Sequence, residues 1–349
     1  MNESKLRTLL PKIASLDLSG LSHSTVYIGA AGFEPRAIAL LDRCLSQRIR
    51  LDKALAIKYE PNGDSRNRVS EFKSKLKMVC SSVQWMNYDR LDPQEFQEKF
   101  VSTADIPDQL HVLIDISGMS KFLTMLLMQV LTNLPNNLTV VYAEADIYHP
   151  TRDEFEKEKK KLGATPDFLT SDVYTILHVT SLSSVSMQGY PILLLVFPTF
   201  NHNEIAALHN EISPQHMILL EGDPHEESNR WRLQAIREVN RSITTNPDYS
   251  CSSRVVSTFD YVSNIEVLQE IYQMYCFTHK ILLAPTGSKL QTVASFLFRQ
   301  LHPDVQIVYP VTKAFMGEYS EKCKALWSIS FGPFSKFVSS LHEYRLERT

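Results

Sequence analysis

The chain has 349 residues, 44% hydrophobic and 21% charged, with a formal net charge of −3. This is the composition of an ordinary soluble globular protein with length for two cores, and it excludes an overall basic nucleic-acid footprint, so no direct DNA binding is expected. PILLLVF is far too short to cross a membrane, and five scattered cysteines (Cys44, Cys80, Cys251, Cys276, Cys323) without a CxxC pair predict reduced thiols in a cytoplasm and no metal site.

Residues before Ser22 read as a short amphipathic helix, with Leu6, Leu9, Leu10, Ile13 and Leu16 at helical spacing. No secretory leader is expected, because MNESKLRTLLPKI lacks an apolar core and a small-residue cleavage site. In TVYIGAAGFEPRAIALLDRCL a strand ends at Ile28, the small residues to Gly32 form a turn, and a helix starts near Pro35. The GxxG lacks the spacing of a dinucleotide fingerprint. Glu34 and Arg36 read equally as a surface ion pair and as ligand groups beside the exposed Phe33. Leu51 to Tyr59 is a second strand, followed by the polar loop EPNGDSRNR and a helix to about Val79. Arg66 and Arg68 in that loop either reach an anionic ligand or lie on a solvated face. VQWMNYD is a third strand and PQEFQEKFV a helix.

The stretch HVLIDISGMSKFLTMLLMQVL, from His111 to Leu131, is the centre of the pattern. A β-branched run gives a buried strand, Asp115, Ser117, Gly118, Ser120 and Lys121 give a small polar turn, and an apolar helix follows. Ligands bind at such turns in open α/β sheets, where backbone N–H groups and a helix N-terminus face outward. Gly32, Phe33, Glu34 and Arg36 are therefore placed in one crevice with Asp115 to Lys121. A strand from Thr139 to Tyr142 leads to Glu144 and Asp146, a carboxylate pair suited to metal or acid–base work but lacking a third partner. EFEKEKKKLG is a mixed-charge solvated helix, Thr175 to Val179 is the last strand of the first lobe, and SSVSMQGYP is a linker.

The second half opens with PILLLVFPTFNHNEIAALHNEI, a strand from Ile192 to Phe197, then a turn without glycine and a helix capped by Asn201 or Asn203. Met217 to Leu220 is a strand leaving through EGDPHEESNR. HKILLAPTGSKLQTVASFLFRQL, from His279 to Leu301, repeats the central stretch. Its turn, Thr286, Gly287, Ser288 and Lys289, suits a phosphate or carboxylate, although it is not a Walker A motif. Gln306 to Tyr309 and Leu326 to Ser330 are further strands; Tyr319 and Ser320 lie in a loop as candidate lid or ligand edge, and SKFVSSLHEYRLERT is a closing helix.

The pairs His111/His279, Ser120/Ser288, Lys121/Lys289, Thr124/Thr292 and Pro135/Pro303 all lie 168 positions apart, and the order of flanking strands repeats with them. The predicted fold is therefore α/β: two tandem Rossmann-like lobes from an internal duplication, residues 1–185 and 186–349, each a mostly parallel sheet flanked by helices.

The turns DISGMSK and PTGSK, with GAAGFEPR after the first strand, resemble the ligand loops of the CRISPR-associated Rossmann-fold (CARF) and SAVED domains of prokaryotic antiphage defence. The resemblance implies a fused pair of lobes sharing a groove for a cyclic nucleotide or oligonucleotide. The second lobe's glycine-free first turn departs from the family pattern, and so does the lack of a recognisable nuclease or other effector domain. Sensing would then be relayed to a separate protein partner, or the chain would itself cleave its ligand. The expected ligand site comprises Gly32, Phe33, Glu34, Arg36, Ser117, Gly118, Ser120, Lys121, Thr286, Gly287, Ser288, Lys289 and Tyr319, with no cofactor. Two other classes stay open. One is an enzyme acting on a nucleotide or nucleotide sugar, with Glu34 and Asp115 as candidate catalytic groups; the other is a non-catalytic scaffold.

Overall fold

In the computed structural model, residues 3–19, 21, 24–61, 63–162, 170–315, 317 and 319–346 are described. The strands among them are β1 (Ala14–Ser15), β2 (Thr25–Ala30), β3 (Leu51–Tyr59), β4 (Cys80–Tyr88), β5 (His111–Asp115), β6 (Asn137–Glu144), β7 (Ile147–Tyr148) and β8 (Thr170–Leu177). They continue with β9 (Ile192–Val196), β10 (His216–Asp223), β11 (Cys251–Ser257), β12 (Lys280–Ala284), β13 (Gln306–Ile307), β14 (Tyr309–Phe315), β15 (Ser320–Glu321) and β16 (Ala325–Pro333). The chain divides into two compact units, Met1–Tyr148 with Glu318–Thr349, and His149–Gly317.

In the first unit a seven-stranded sheet runs β1-β16-β6-β5-β2-β3-β4. The five strands β6 to β4 are parallel to their neighbours, while β16 runs antiparallel to β6, and β1 antiparallel to β16. Every residue of β2 is buried, as is β5 after His111, because helices cover both faces of a parallel sheet and alternation is lost. The helix Lys121–Leu131 has nine buried residues and almost no polar face, so it is sunk into the unit instead of lying on it. Each fully buried Leu or Met there stabilises by roughly 1.5–3 kcal/mol relative to exposure. Tyr27, Leu40, Leu76 and Leu113 belong to the cluster that welds the helices Ala39–Ser46 and Val69–Val79 to the sheet.

The second unit has a wholly parallel sheet, β11-β10-β9-β12-β13. Numbering each unit's parallel strands from its first, both sheets read 5-4-1-2-3, so a chain reversal occurs beside the first strand in each. A separate antiparallel pair joins β14 to β8. Phe155, from the mixed-charge helix Arg152–Leu162, packs with Phe200 and Trp231, so this helix has one anchored side chain and is not wholly solvated.

Several expected positions are corrected. The boundary at 185/186 falls inside the second unit, because β8 pairs with β14 there and does not complete the first sheet. The first sheet is closed instead by β16, from the far end of the sequence. The opening helix stops at Leu9 ahead of Pro11, and the following residues turn extended to pair with β16. Cys251–Ser257 adds a strand that its short Ser-rich sequence concealed.

Candidate functional site

In the first unit β2 and β5 are adjacent and parallel, with Gly29 opposite Asp115, and the chain passes outward from them on opposite sides. The turns after these two strands therefore meet at the topological switch point of the sheet, the usual ligand position in such folds. Their contact is backbone to backbone. A Cβ on Gly32 would stand 2.7 Å from the Gly118 carbonyl oxygen, and one on Gly118 would stand 2.4 Å from the Ala30 oxygen. Both glycines are thus required by packing of turn on turn.

Below this contact lies Asp115, 1% exposed. Its Oδ1 accepts the Ser117 N–H at 3.0 Å and its Oδ2 a hydrogen bond from the Tyr27 hydroxyl at 3.4 Å. Burial raises the carboxyl to about 6, and the Ser117 and Tyr27 hydrogen bonds and the Arg36 charge offset only part of that rise. Ser117 is fully buried, and its Oγ accepts the Ala143 N–H at 2.8 Å, tying the turn to the end of β6. The Ser120 hydroxyl caps the central helix by accepting the Leu123 N–H, while the Tyr59 hydroxyl accepts the Ser120 N–H at 2.6 Å and donates to Gly118 O at 3.2 Å. Lys121, half-buried, follows at the first helical position.

Glu34 and Arg36 form a two-point ion pair, Nε to Oε2 at 2.8 Å and Nη2 to Oε1 at 3.2 Å. Arg36 also donates to the Tyr142 hydroxyl and the Ala143 carbonyl and lies over the Tyr142 and Tyr148 rings. The Ser320 hydroxyl donates to Glu34 Oε2 at 2.6 Å, and the Tyr142 and Tyr148 hydroxyls share a 2.7 Å hydrogen bond. Burial disfavours the Arg36 charge, but Glu34, Tyr142 and Tyr148 together outweigh it, so the guanidinium is held charged. This pair is a buried clamp joining the first turn to β6, β7 and β15, not a surface pair. Phe33 is half-buried at the rim, with the Arg66 guanidinium 4.8 Å from its ring centre and the Tyr319 ring at 5.7 Å. Arg68 donates to the Phe33 carbonyl.

The second unit presents the corresponding turn after β12. Thr286 is buried and its hydroxyl donates to the Phe197 carbonyl at 2.6 Å. Ser288 and Gln291 form a reciprocal capping box on the helix Lys289–Leu301, and the Gln291 amide side chain also donates to the Ser257 carbonyl. A Cβ on Gly287 would meet Gln291 Oε1 at 2.0 Å and Phe197 Cβ at 2.9 Å. The donors of this helix start are thus partly spent within the chain. Asn201 is the cap of the helix His202–Ile212, accepting the Asn203 N–H.

The first-unit residues Gly32, Phe33, Glu34, Arg36, Ser117, Gly118, Ser120, Lys121 and Tyr319 fall in the two contacting turns and their rim. Thr286, Gly287, Ser288 and Lys289 form a separate turn in the second unit. Glu144 and Asp146 do not act as an exposed pair: Glu144 is buried and accepts the Trp327 indole N–H at 2.8 Å, while Asp146 is exposed. Tyr59, Tyr142, Tyr148 and Gln291 were missed by sequence reasoning; only the Ser-x-x-Gln spacing at Ser288 carried a signal, that of a capping box.

No family model matches the chain, and no curated protein matches it. Among solved structures, the chain is similar to that of a Type III CRISPR defence DNA nuclease activated by cyclic oligoadenylate. The TM-score is 0.51 at 10% identity, over 82% of this chain and 65% of the nuclease chain. The likeness is one of fold. The matched part leaves about a third of the nuclease uncovered. The cytoplasmic domain of a prokaryotic cation chloride cotransporter is aligned over 82% of this chain and 95% of its own at 7% identity, but its TM-score of 0.23 carries no argument. Among the described residues no helix is long and apolar enough to cross a membrane.

Proposed function

We propose that this protein is a nucleotide-responsive sensor of antiviral defence that acts through a separate effector protein. The observation that carries the reading is the switch point of the first unit, where Gly32 and Gly118 bring two turns into backbone contact beside Phe33, which packs with Tyr319 and with the Asp64-held Arg66, while Lys121 opens the helix after the second turn. An aromatic edge with guanidinium and ammonium groups suits a base and its phosphates. Fold likeness to a nuclease activated by cyclic oligoadenylate supports a cyclic oligonucleotide as the ligand class.

Binding without turnover is favoured because the two candidate catalytic carboxylates are committed elsewhere. Asp115 lies under the turn, and Glu34 is engaged by Arg36 and Ser320. The test is a thermal-shift series with mononucleotides, cyclic oligonucleotides and nucleotide sugars, each hit followed by mass spectrometry. Ligand binding raises the melting temperature by linkage. The expected result is a saturable rise with a cyclic oligonucleotide recovered intact, lost in Lys121→Ala. Consumption of the ligand, with rate lost in Glu34→Gln or Asp115→Asn, would replace the sensor with an enzyme. No response to any nucleotide would replace it with a scaffold.

A further inference from the structure

A cavity of about 250 Å³ lies in the second unit at the amino ends of β9, β12 and β13, the opposite edge of that sheet from the PTGSK turn. Its apolar wall includes Ile192 and Leu282, and its polar groups include Lys280, His178, Glu211 and Gln306. Lys280 is 8% exposed, and its ammonium has a single partner among the described residues, the Ser184 carbonyl at 3.2 Å. An ammonium offers three donors, and burying one with a lone neutral acceptor is costly unless something else completes its shell. The cost registers in Lys280, whose basicity is lowered by burial. Among the described residues His178 has one hydrogen-bond partner, the Gln306 side-chain amide at 3.1 Å, and burial lowers its basicity too.

Across the cavity the charge has the other sign. Glu211 and Ile212 are the last residues of the helix His202–Ile212, so a carboxylate and the negative end of a helix face the same space. We infer that this cavity is a binding site for a small zwitterion of the amino-acid type, its carboxylate on Lys280, its ammonium toward Glu211 and the helix end, and its aliphatic part against Ile192 and Leu282. A dianion such as phosphate is disfavoured by Glu211 and the helix end, and among the described residues lining the cavity there is no arginine fork to hold it. The inference does not depend on the nucleotide reading of the turns.

The test uses the full chain at fixed ionic strength, titrated with L-valine, acetate and inorganic phosphate, and followed by thermal shift and by the His178 ring resonances. L-Valine is expected to give a saturable shift in both readouts, with acetate at least tenfold weaker and phosphate without effect. Lys280→Met, which keeps the apolar stem, is expected to lose the L-valine response while melting no lower than the wild type. Lys336→Met, on an exposed helix face, is expected to retain the response. An unmoved His178 resonance in the wild type, a response to phosphate alone, or an L-valine response that survives Lys280→Met would overturn the assignment.

Discussion

Asp115 offers a measurement of how tightly the first unit's turn is built. Its carboxyl is raised from 3.8 to about 6 because burial disfavours the charge more than Ser117, Tyr27 and Arg36 favour it. A pKa that is higher folded than unfolded means that the native state holds the proton longer. The group's contribution is therefore fully present below pH 3.8 and is lost as pH rises through 6. A shift of about two units at about 1.4 kcal/mol per unit gives roughly 3 kcal/mol. The other ionisable groups near it are Arg36, Tyr27 and the Cys44 and Cys323 thiols, of which Cys44 is pushed up to about 11, so none of these changes charge in that window. Asp115→Asn keeps an acceptor for the Ser117 N–H and cannot ionise. Urea denaturation of both proteins at several pH values between 3.5 and 7.5 isolates the effect, since every other carboxylate cancels in the difference. The stability of the variant relative to wild type is expected to climb by about 3 kcal/mol across that range. A flat difference would show that the contacts of the charged carboxylate fully offset burial, one that falls with pH that they exceed it, and either would refute the reasoning.

Three further outcomes follow from the same unit. Gly118→Ala places a methyl against a carbonyl oxygen that cannot yield, so a loss of about 1–3 kcal/mol is expected by thermal denaturation, with Gly317→Ala, where nothing lies within 4 Å, near neutral. Glu34→Gln leaves the Arg36 guanidinium buried without its counter-charge and is expected to cost about 3 kcal/mol or more, whereas Glu34→Gln with Arg36→Met recovers most of it; equal losses in the single and double variants would contradict the clamp. Tyr59→Phe removes both the acceptor for Ser120 N–H and the donor to Gly118, so about 1–2 kcal/mol is expected to go, with faster hydrogen exchange at the Ser120 amide.

Strand identity was well marked in the sequence, and partner choice was not. The runs at Val26, Leu55, Val112 and Leu194 are apolar and β-branched or leucine-rich because both faces are buried, so each strand could be named from its own residues. The strands expected at Thr175 to Val179 and Leu326 to Ser330 overlap β8 and β16, the first only in its opening residues, but nothing in a strand's residues says which edge it joins, and these two join different units from those expected. The site shows the same division. The small-residue turns were legible because glycine and serine are needed there, and Ser120 and Ser288 do cap their helices. The fate of Glu34 and Arg36 was hidden, since it depends on Tyr142, Tyr148 and Ser320, distant in sequence.

The late arrival of β16 bears on how the chain is made. β6 is buried throughout apart from its first residue, yet the strand beside its outer edge comes from the end of the sequence; Thr139 meets Ser330, 191 residues further along. At about 5–20 residues per second of synthesis, the nascent first unit waits roughly ten to forty seconds with an unpaired, apolar strand edge. During that interval the whole second unit can emerge and fold, while the edge of β6 is open to any other extended segment. Translation speed through residues 149–317 therefore sets how long the edge of β6 stays open before its partner strand exists.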